Sequence, residues 1–367
     1  MPDRYLILAI NPGSTSTKIA LFDNDTLRFE ATIRHSTEEL EQFETIGEQH
    51  AFRKSVIVNQ LTENGVDLGA LDAVVGRGGL IHPVSGGTYA VNDLMLADLK
   101  QGVLGEHASN LGGLIAHEIA SQSSCESFIV DPVVVDELEP VARYSGVPEI
   151  ERSSIFHALN QKAVARRAAT AHGGSYADYC FIVAHMGGGI TVGVHRHGRV
   201  VDVNDGLNGD GPFSPERSGG LPALKLVKLC FSDHASQPEV TRRVKGGGGL
   251  VAYLGTNDAR EVNRRIDSGD TQAESVYRAM AYQIAKEIGA MAVVVAGRID
   301  AIVLTGGLAH DQRFCGWIEE RVKFLAPVEV YPGENEMIAL AEGALRVLQG
   351  HESARQYRGA AGGHSER

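Results

Sequence analysis

Tyr5-Leu6-Ile7-Leu8-Ala9-Ile10 runs into Asn11-Pro12-Gly13-Ser14-Thr15-Ser16-Thr17-Lys18, and Ile19-Ala20-Leu21-Phe22 follows at once. Two apolar runs joined by a glycine turn rich in hydroxyls read as a β-hairpin. The P-loop differs, because its glycine loop opens a helix. Such a turn offers an anion backbone N–H groups, the hydroxyls of Ser14 and Ser16, and the ammonium of Lys18. An ordinary hairpin turn has the same residue types, so the stretch gains meaning from what accompanies it.

The pattern returns in the second half. Phe181-Ile182-Val183-Ala184 enters His185-Met186-Gly187-Gly188-Gly189, and strands are expected at 190–194 and 200–203. A strand, a glycine turn and two further strands thus occur at 5–33 and again at 180–204, which reads as a structural duplication. Further strands are expected at 73–75, 127–130, 301–304 and 328–331, with helices at 44–62, 107–121, 155–169, 273–296 and 310–325. A last helix carries the stripe Met337, Leu340, Ala341, Ala344, Leu345 and Leu348. From Gln349 onward the chain is small, polar and charged, and disorder is expected.

With 367 residues, 43% of them hydrophobic, the chain has length for two domains and apolar content for a large core. A net charge of -12 argues against a nucleic-acid surface. Cys125, Cys180, Cys230 and Cys315 form no CxxC pair, so neither a zinc site nor a disulfide framework is indicated. The N-terminal apolar run is short for a secretory signal, and the most apolar helical stretch is short for a bilayer. A reducing cytoplasm, with no membrane partner, is the expected location.

Two hairpins with glycine turns point to a nucleotide held between two lobes. Gly187, Gly188 and Gly189 let backbone approach phosphates closely. Gly306-Gly307, after a strand and before a helix, suits a nucleoside or phosphate, and a plain strand-to-helix turn equally well. Arg77 among glycines, and Arg217 in the proline-stiffened Asp210-Gly211-Pro212-Phe213-Ser214-Pro215-Glu216-Arg217-Ser218-Gly219, present forks for carboxylate or phosphate. Asp131 at a strand end and Glu336 at a helix start suit Mg²⁺, with capping or solvation as the alternative. His157 and His185 are candidate donors to a phosphoryl oxygen. Asp258 and Arg260 are weaker candidates for ribose or base contacts, and the run 246–249 reads as a flexible loop.

Taken together, Asn11–Lys18, Gly76-Arg77-Gly78-Gly79-Leu80, Pro83 with Gly86-Gly87-Thr88-Tyr89, the loop 210–219 and Pro332-Gly333-Glu334-Asn335-Glu336-Met337 resemble the butyrate kinases of the acetokinase family. That family belongs to the superfamily of sugar kinases, heat-shock ATPases and actin, and the resemblance runs from about residue 5 to about residue 349. It implies an α/β fold of two ribonuclease-H-like, actin-like ATPase lobes with a nucleotide cleft between them. The expected division is 1–155 plus 338–367 for one lobe and 156–337 for the other. It also implies reversible phosphoryl transfer from ATP to butanoate, giving butanoyl phosphate and ADP. The alternatives are a branched acid such as isobutyrate, or acetate or propionate. A homo-oligomer, at least a dimer, is expected.

By position, the resemblance makes Arg77, Asp131, His157 and Arg217 catalytic. Asn11, Ser14, Ser16 and Lys18, with His185, Gly187, Gly188 and Gly189, become phosphate contacts. Asp258, Arg260, Gly306 and Gly307 face the nucleoside, and Asn11 and Glu336 lie by Mg²⁺. Acetate kinases carry Gly-Ile-Gly-Glu-Asn where this chain has Gly307-Leu308-Ala309-His310-Asp311, so base recognition is expected to differ. They also carry Gly-Thr-Arg-Ser-Gly where this chain has Pro215-Glu216-Arg217-Ser218-Gly219, which favours the butyrate branch.

Overall fold

A computed structural model describes residues 4–233 and 235–360. The chain divides into two compact units, Met1–Asp136 with Asn335–Arg367, and Glu137–Glu334.

The first unit contains strands β1 (Leu6–Pro12), β2 (Ser16–Asp23), β3 (Thr26–Arg34), β4 (Ala73–Arg77), β5 (Thr88–Ala90), β6 (Glu126–Val130) and β12 (Arg355–Gln356). Its helices are α1 (Thr37–Leu40), α2 (His50–Glu63), α3 (Asp93–Gln101), α4 (Asn110–Ser123) and α12 (Glu336–Leu348). The second unit contains α5 (Ala158–Ala171), β7 (Cys180–Met186), β8 (Ile190–Arg196), β9 (Arg199–Val203), α6 (Ala223–Cys230), α7 (Gln237–Val244), α8 (Gly249–Leu254), α9 (Ala259–Asp267), α10 (Thr271–Val294), β10 (Ala301–Gly306), α11 (Gln312–Val322) and β11 (Val328–Pro332).

The sheets repeat one topology. The first runs β12-β5-β6-β4-β1-β2-β3 and the second β11-β10-β7-β8-β9. In each, an antiparallel meander (β1-β2-β3; β7-β8-β9) continues into two parallel strands (β4, β6; β10, β11) beside its first strand. Both meanders slip register between their second and third strands, at Leu21/Phe22 and at Val194/His195. The duplication read from 5–33 and 180–204 is therefore present in the backbone.

Strand periodicity explains the layers. Phe181, Val183, Ala301 and Val303 pack on Val164, Ala165 and Ala168 of α5. The alternate residues Ile182, Ala184, Ile302 and Leu304 pack on the α10 and α11 side, against Met280, Ile284, Ile288 and Phe314. A strand covered on both faces reads as a continuous apolar run, which is why β7 and β10 were plain in the sequence. In the first unit Leu8, Ile10, Val74 and Ile129 face α2, α3 and α4, and α12 contacts β1, β4 and β6 from the other side.

Several expectations need correction. The helix expected at 44–62 starts at His50, after a 3-10 turn at Gly47–Gln49. The helix expected at 310–325 is preceded by the 3-10 turn Gly307–His310; Asp311 then caps α11, its carboxylate accepting from Phe314 N at 3.2 Å. The tail expected to be disordered from Gln349 is ordered through the described residues: β12 pairs with β5, and Tyr357 is buried. Its hydroxyl donates to Asp98 Oδ2 at 2.6 Å and accepts from His82 N at 3.1 Å. One aromatic side chain outweighs the polar composition around it. Residues 361–367 of that tail lie outside the described residues. The units divide at Asp136/Glu137 and Glu334/Asn335, where the expected bounds were 155/156 and 337/338, and the Glu137 side chain bonds within the second unit. Its carboxylate accepts from buried Lys162 Nζ at 2.8 Å and from Val200 N at 2.7 Å.

Candidate active site

In open α/β sheets, ligands are met at the carboxyl ends of parallel strands. In the first unit Asn11, Arg77 and Asp131 sit at the ends of the neighbouring strands β1, β4 and β6. Glu336, in the first turn of α12, joins two of them. Asn11 Nδ2 donates to Glu336 Oε2 at 2.6 Å, and Arg77 Nη1 lies 3.0 Å from each Glu336 oxygen. Arg77 Nη1 also reaches Asn11 Oδ1 at 3.4 Å. Residues 325 positions apart are thus one cluster.

Asp131 is buried and sits at φ 37°, a left-handed conformation that side chains other than glycine adopt at a cost. Gly87 N donates to its Oδ1 at 2.7 Å, and Asp131 N donates back to Gly87 O at 3.0 Å. The carboxylate is held by backbone on one side.

The hairpin turn has a support that the sequence reading missed. Arg53 of α2 is buried beneath it. Its Nη1 donates to Gly13 O at 2.7 Å, Ser16 O at 3.2 Å and Thr17 Oγ1 at 3.2 Å, and its Nη2 to Ser14 O at 2.9 Å. Gln49 Oε1 accepts from both Nε and Nη2. Ser14 itself is exposed, and Lys18, across the hairpin from Asn11, pairs with Glu30 at 2.9 Å.

In the second unit the rings of His157 and His185 stack at 3.8 Å between centroids. His185 ends β7, and its Nδ1 meets Asn160 Oδ1 at 2.7 Å. His157 precedes α5, and its Nδ1 meets Thr191 Oγ1 at 2.9 Å. The Gly187-Gly188-Gly189 turn lies between β7 and β8, and Ser214 Oγ donates to Gly188 O at 2.6 Å. Arg217 covers Gly189: a Cβ at that glycine would stand 2.0 Å from Arg217 Nη1. Arg217 Nη1 donates to Gly206 O, and burial pulls the guanidinium below its ordinary pKa without threatening its charge.

The run 246–249, expected to be a flexible loop, is instead a brace. Gly246 N and Gly248 N both donate to Glu216 O, at 2.8 and 3.1 Å. Gly249 has φ 58°, and a Cβ there would fall 1.6 Å from Ser214 O. Gly248 and Gly249 serve close backbone packing beside Arg217, which composition alone does not distinguish from mobility.

The remaining candidates are less concentrated. Asp258 caps α9, accepting from Arg260 N at 2.9 Å, and the Arg260 guanidinium pairs back onto its carboxylate at 3.0 Å while largely exposed. Gly306 ends β10 in a backbone pair with Gly333, and Gly307 beyond it is exposed with open space on its Cβ side. The positions missed in the sequence are Arg53, Asn160, Gln161, Thr191 and Ser214, which act through other residues and match no ligand-binding pattern.

Residues 149–331 match the sequence pattern of the acetokinase family. The chain is 53% identical to butyrate kinase 2 of Clostridium acetobutylicum over 97% of its length and 100% of that protein. The chain belongs to the acetokinase family. Butyrate kinase 1 of the same organism is 55% identical over 96% of this chain and all of its own. The crystal structure of Porphyromonas gingivalis acetate kinase superposes with a TM-score of 0.76, covering 93% of this chain and 99% of that one, at 18% identity. At that identity the likeness speaks for the fold: two α/β lobes with mixed sheets, as expected from the repeated hairpins. An acetokinase is an ATP-dependent phosphotransferase, and its acceptor is the carboxyl group of a short-chain fatty acid.

Proposed function

We propose that the acid is butanoate and that the reaction, reversible, gives butanoyl phosphate and ADP. The observation that carries this reading is identity above 50% along the whole length to two proteins named butyrate kinase. A carboxylic acid is ionised near neutral pH, with a pKa of about 4 for side-chain carboxyls, so the nucleophile needs no general base. The barrier is the approach of one anion to another. Arg77 receives the carboxylate. Asn11, Ser14, Ser16 and Lys18 are proposed phosphate contacts, as are His185, Gly187, Gly188 and Gly189. His157 and Arg217 stabilise the phosphoryl group in transfer. Asp258, Arg260, Gly306 and Gly307 are the nucleoside-facing positions. Asp131 orients rather than removes a proton, a role that its hold on Gly87 N supports.

Glu336 and Asn11 offer hard oxygen donors, which suit Mg²⁺. Among the described residues no group of three or more His, Cys, Asp or Glu is arranged to hold a metal. Bound there, Mg²⁺ would neutralise phosphate charge.

An acyl-hydroxamate assay with ATP, Mg²⁺ and straight and branched C2 to C5 acids tests the reading. Two extra methylenes at roughly 0.8 kcal/mol each favour butanoate over acetate by about fifteenfold in kcat/KM. A preference for acetate, propionate or isobutyrate redirects the assignment, and no product with any acid leaves a nucleotide-binding sensor instead.

The cytoplasm is the proposed location. No helix among the described residues is long and apolar enough to cross a membrane. It assembles with a second copy of itself, at least as a dimer. Leu221, Leu224, Val227 and Phe231 form an exposed apolar row along and beside α6, and Phe231 is 89% exposed. Sedimentation should give a dimer or larger species; a monomer at micromolar concentration overturns this part.

A further inference from the structure

Behind the stacked histidines runs a buried chain of polar groups that the reading above does not use. Gln161 of α5 and Thr191 and His195 of β8 are each 0% exposed. Gln161 Nε2 lies 2.9 Å from Thr191 O. A backbone carbonyl only accepts, so the Gln161 amide has one allowed orientation. Its Nε2 also donates to Thr191 Oγ1 at 2.8 Å, and its Oε1 accepts from His195 Nε2 at 2.9 Å. Burial, with Lys162 and Arg166 nearby, pushes His195 well below the ordinary imidazole range, so it is neutral. With its proton on Nε2, its Nδ1 accepts from Tyr176 OH at 2.7 Å.

The direction of donation carries to the other end. Thr191 Oγ1 already accepts from Gln161, and its own proton has an acceptor in His157 Nδ1 at 2.9 Å. A neutral His157 then bears its proton on Nε2. The stacked partner has the opposite setting. Asn160 Nδ2 donates to Glu334 O at 2.7 Å, so Asn160 Oδ1 accepts from His185 Nδ1 at 2.7 Å. Neutral His185 therefore bears its proton on Nδ1, and it donates to a phosphate through Nε2 only when that nitrogen is protonated as well.

We propose that Thr191 and Gln161 are positioning residues that fix His157 as the Nε2–H tautomer, so that it donates a hydrogen bond to the phosphoryl group without becoming charged. The idea rests on the transition-state role given to His157 above. The two rings stack face to face 3.8 Å apart, so a charge on both would be repulsive, and a neutral donor at His157 avoids that repulsion.

The test is a long-range ¹H–¹⁵N spectrum of the ¹⁵N-histidine-labelled protein at pH about 8, with His157 assigned through His157→Gln, beside steady-state kinetics. The wild type should show a pyridine-like Nδ1 and a protonated Nε2 at His157. Thr191→Val should mix the tautomers and lower kcat about tenfold while KM for ATP and acid stays within about twofold; Thr191→Ser should restore both. A protonated Nδ1 at His157 in the wild type overturns the proposal even if no variant folds, as does a folded Thr191→Val with unchanged spectrum and kcat. If the Nε2–H tautomer is found but His157→Gln turns over normally, the role of His157 falls and the tautomer assignment stands.

Discussion

Arg217→Ala should lower kcat about a hundredfold or more, the scale on which one preorganised electrostatic stabiliser acts, with much smaller changes in KM. The geometry holds this residue in place: its Nη1 donates to Gly206 O, and its loop is tied by further hydrogen bonds. Arg217 N donates to Ser214 Oγ at 3.1 Å, and Ser214 N donates to Arg217 O at 3.0 Å. Ser214 Oγ then ties the loop to Gly188 O, and Gly246 and Gly248 brace it through Glu216 O. In the proposed role, no reorganisation would be needed when charge moves onto the phosphoryl group, and that is where the rate advantage of a fixed cation would lie. Two companion variants separate charge from placement. Arg217→Lys keeps the charge and loses the fork, so it recovers only part of kcat. Gly189→Ala keeps the arginine and displaces it, because the new methyl occupies the space of Nη1; a loss of about tenfold is expected. A folded Arg217→Ala with near-normal kcat would remove Arg217 from the mechanism, and a silent Gly189→Ala would mean that its position is immaterial.

The parts of this molecule legible in its sequence are those set by local rules. The hairpins 5–22 and 180–194 announce themselves because each couples two apolar runs to a glycine turn, and β7 and β10 are apolar throughout because helices cover both faces. The ends of β1, β4 and β6 were found because Asn11, Arg77 and Asp131 follow apolar runs directly. Convergence was another matter. Glu336 was singled out at a helix start, but nothing in the 325-residue separation tells that Asn11 Nδ2 reaches its carboxylate. Short strands such as Thr88–Ala90 and Arg355–Gln356 escaped because each forms only against a partner already in place. The tail failed for the same reason: Tyr357 is buried by Asp98 and His82, neither of them near it in sequence. Gln161 and Thr191 carry no motif, since a residue that orients another is defined by what it touches. Arg53 was hidden in a segment that reads as a polar helix.

Arg53 supports the second large prediction. Its guanidinium lies at 1% exposure and gives its hydrogen bonds to neutral groups: three carbonyls of the 13–16 turn, one hydroxyl and the Gln49 amide. Two consequences follow from that arrangement. Carbonyls drawn inward onto Arg53 fix the shape of the turn, and a positive charge met only by dipoles stays available to attract an anion from beyond it. Arg53→Met removes every donor at once and leaves buried acceptors that each cost about 1–3 kcal/mol when orphaned, less where water enters beside exposed Ser14 and Thr15. The expected net loss is about 2–4 kcal/mol, seen as a fall in Tm on the order of 5–10 °C. If the turn holds phosphate, KM for ATP should rise about tenfold, while kcat at saturating ATP changes only severalfold. Arg53→Lys should recover little of either effect, because one ammonium with three donors cannot satisfy acceptors spread across a planar fork. Thermal unfolding and ATP titration of the two variants decide between outcomes. A lower Tm with unchanged KM makes Arg53 a structural strut alone, and wild-type values for both would mean that the turn keeps its shape without it.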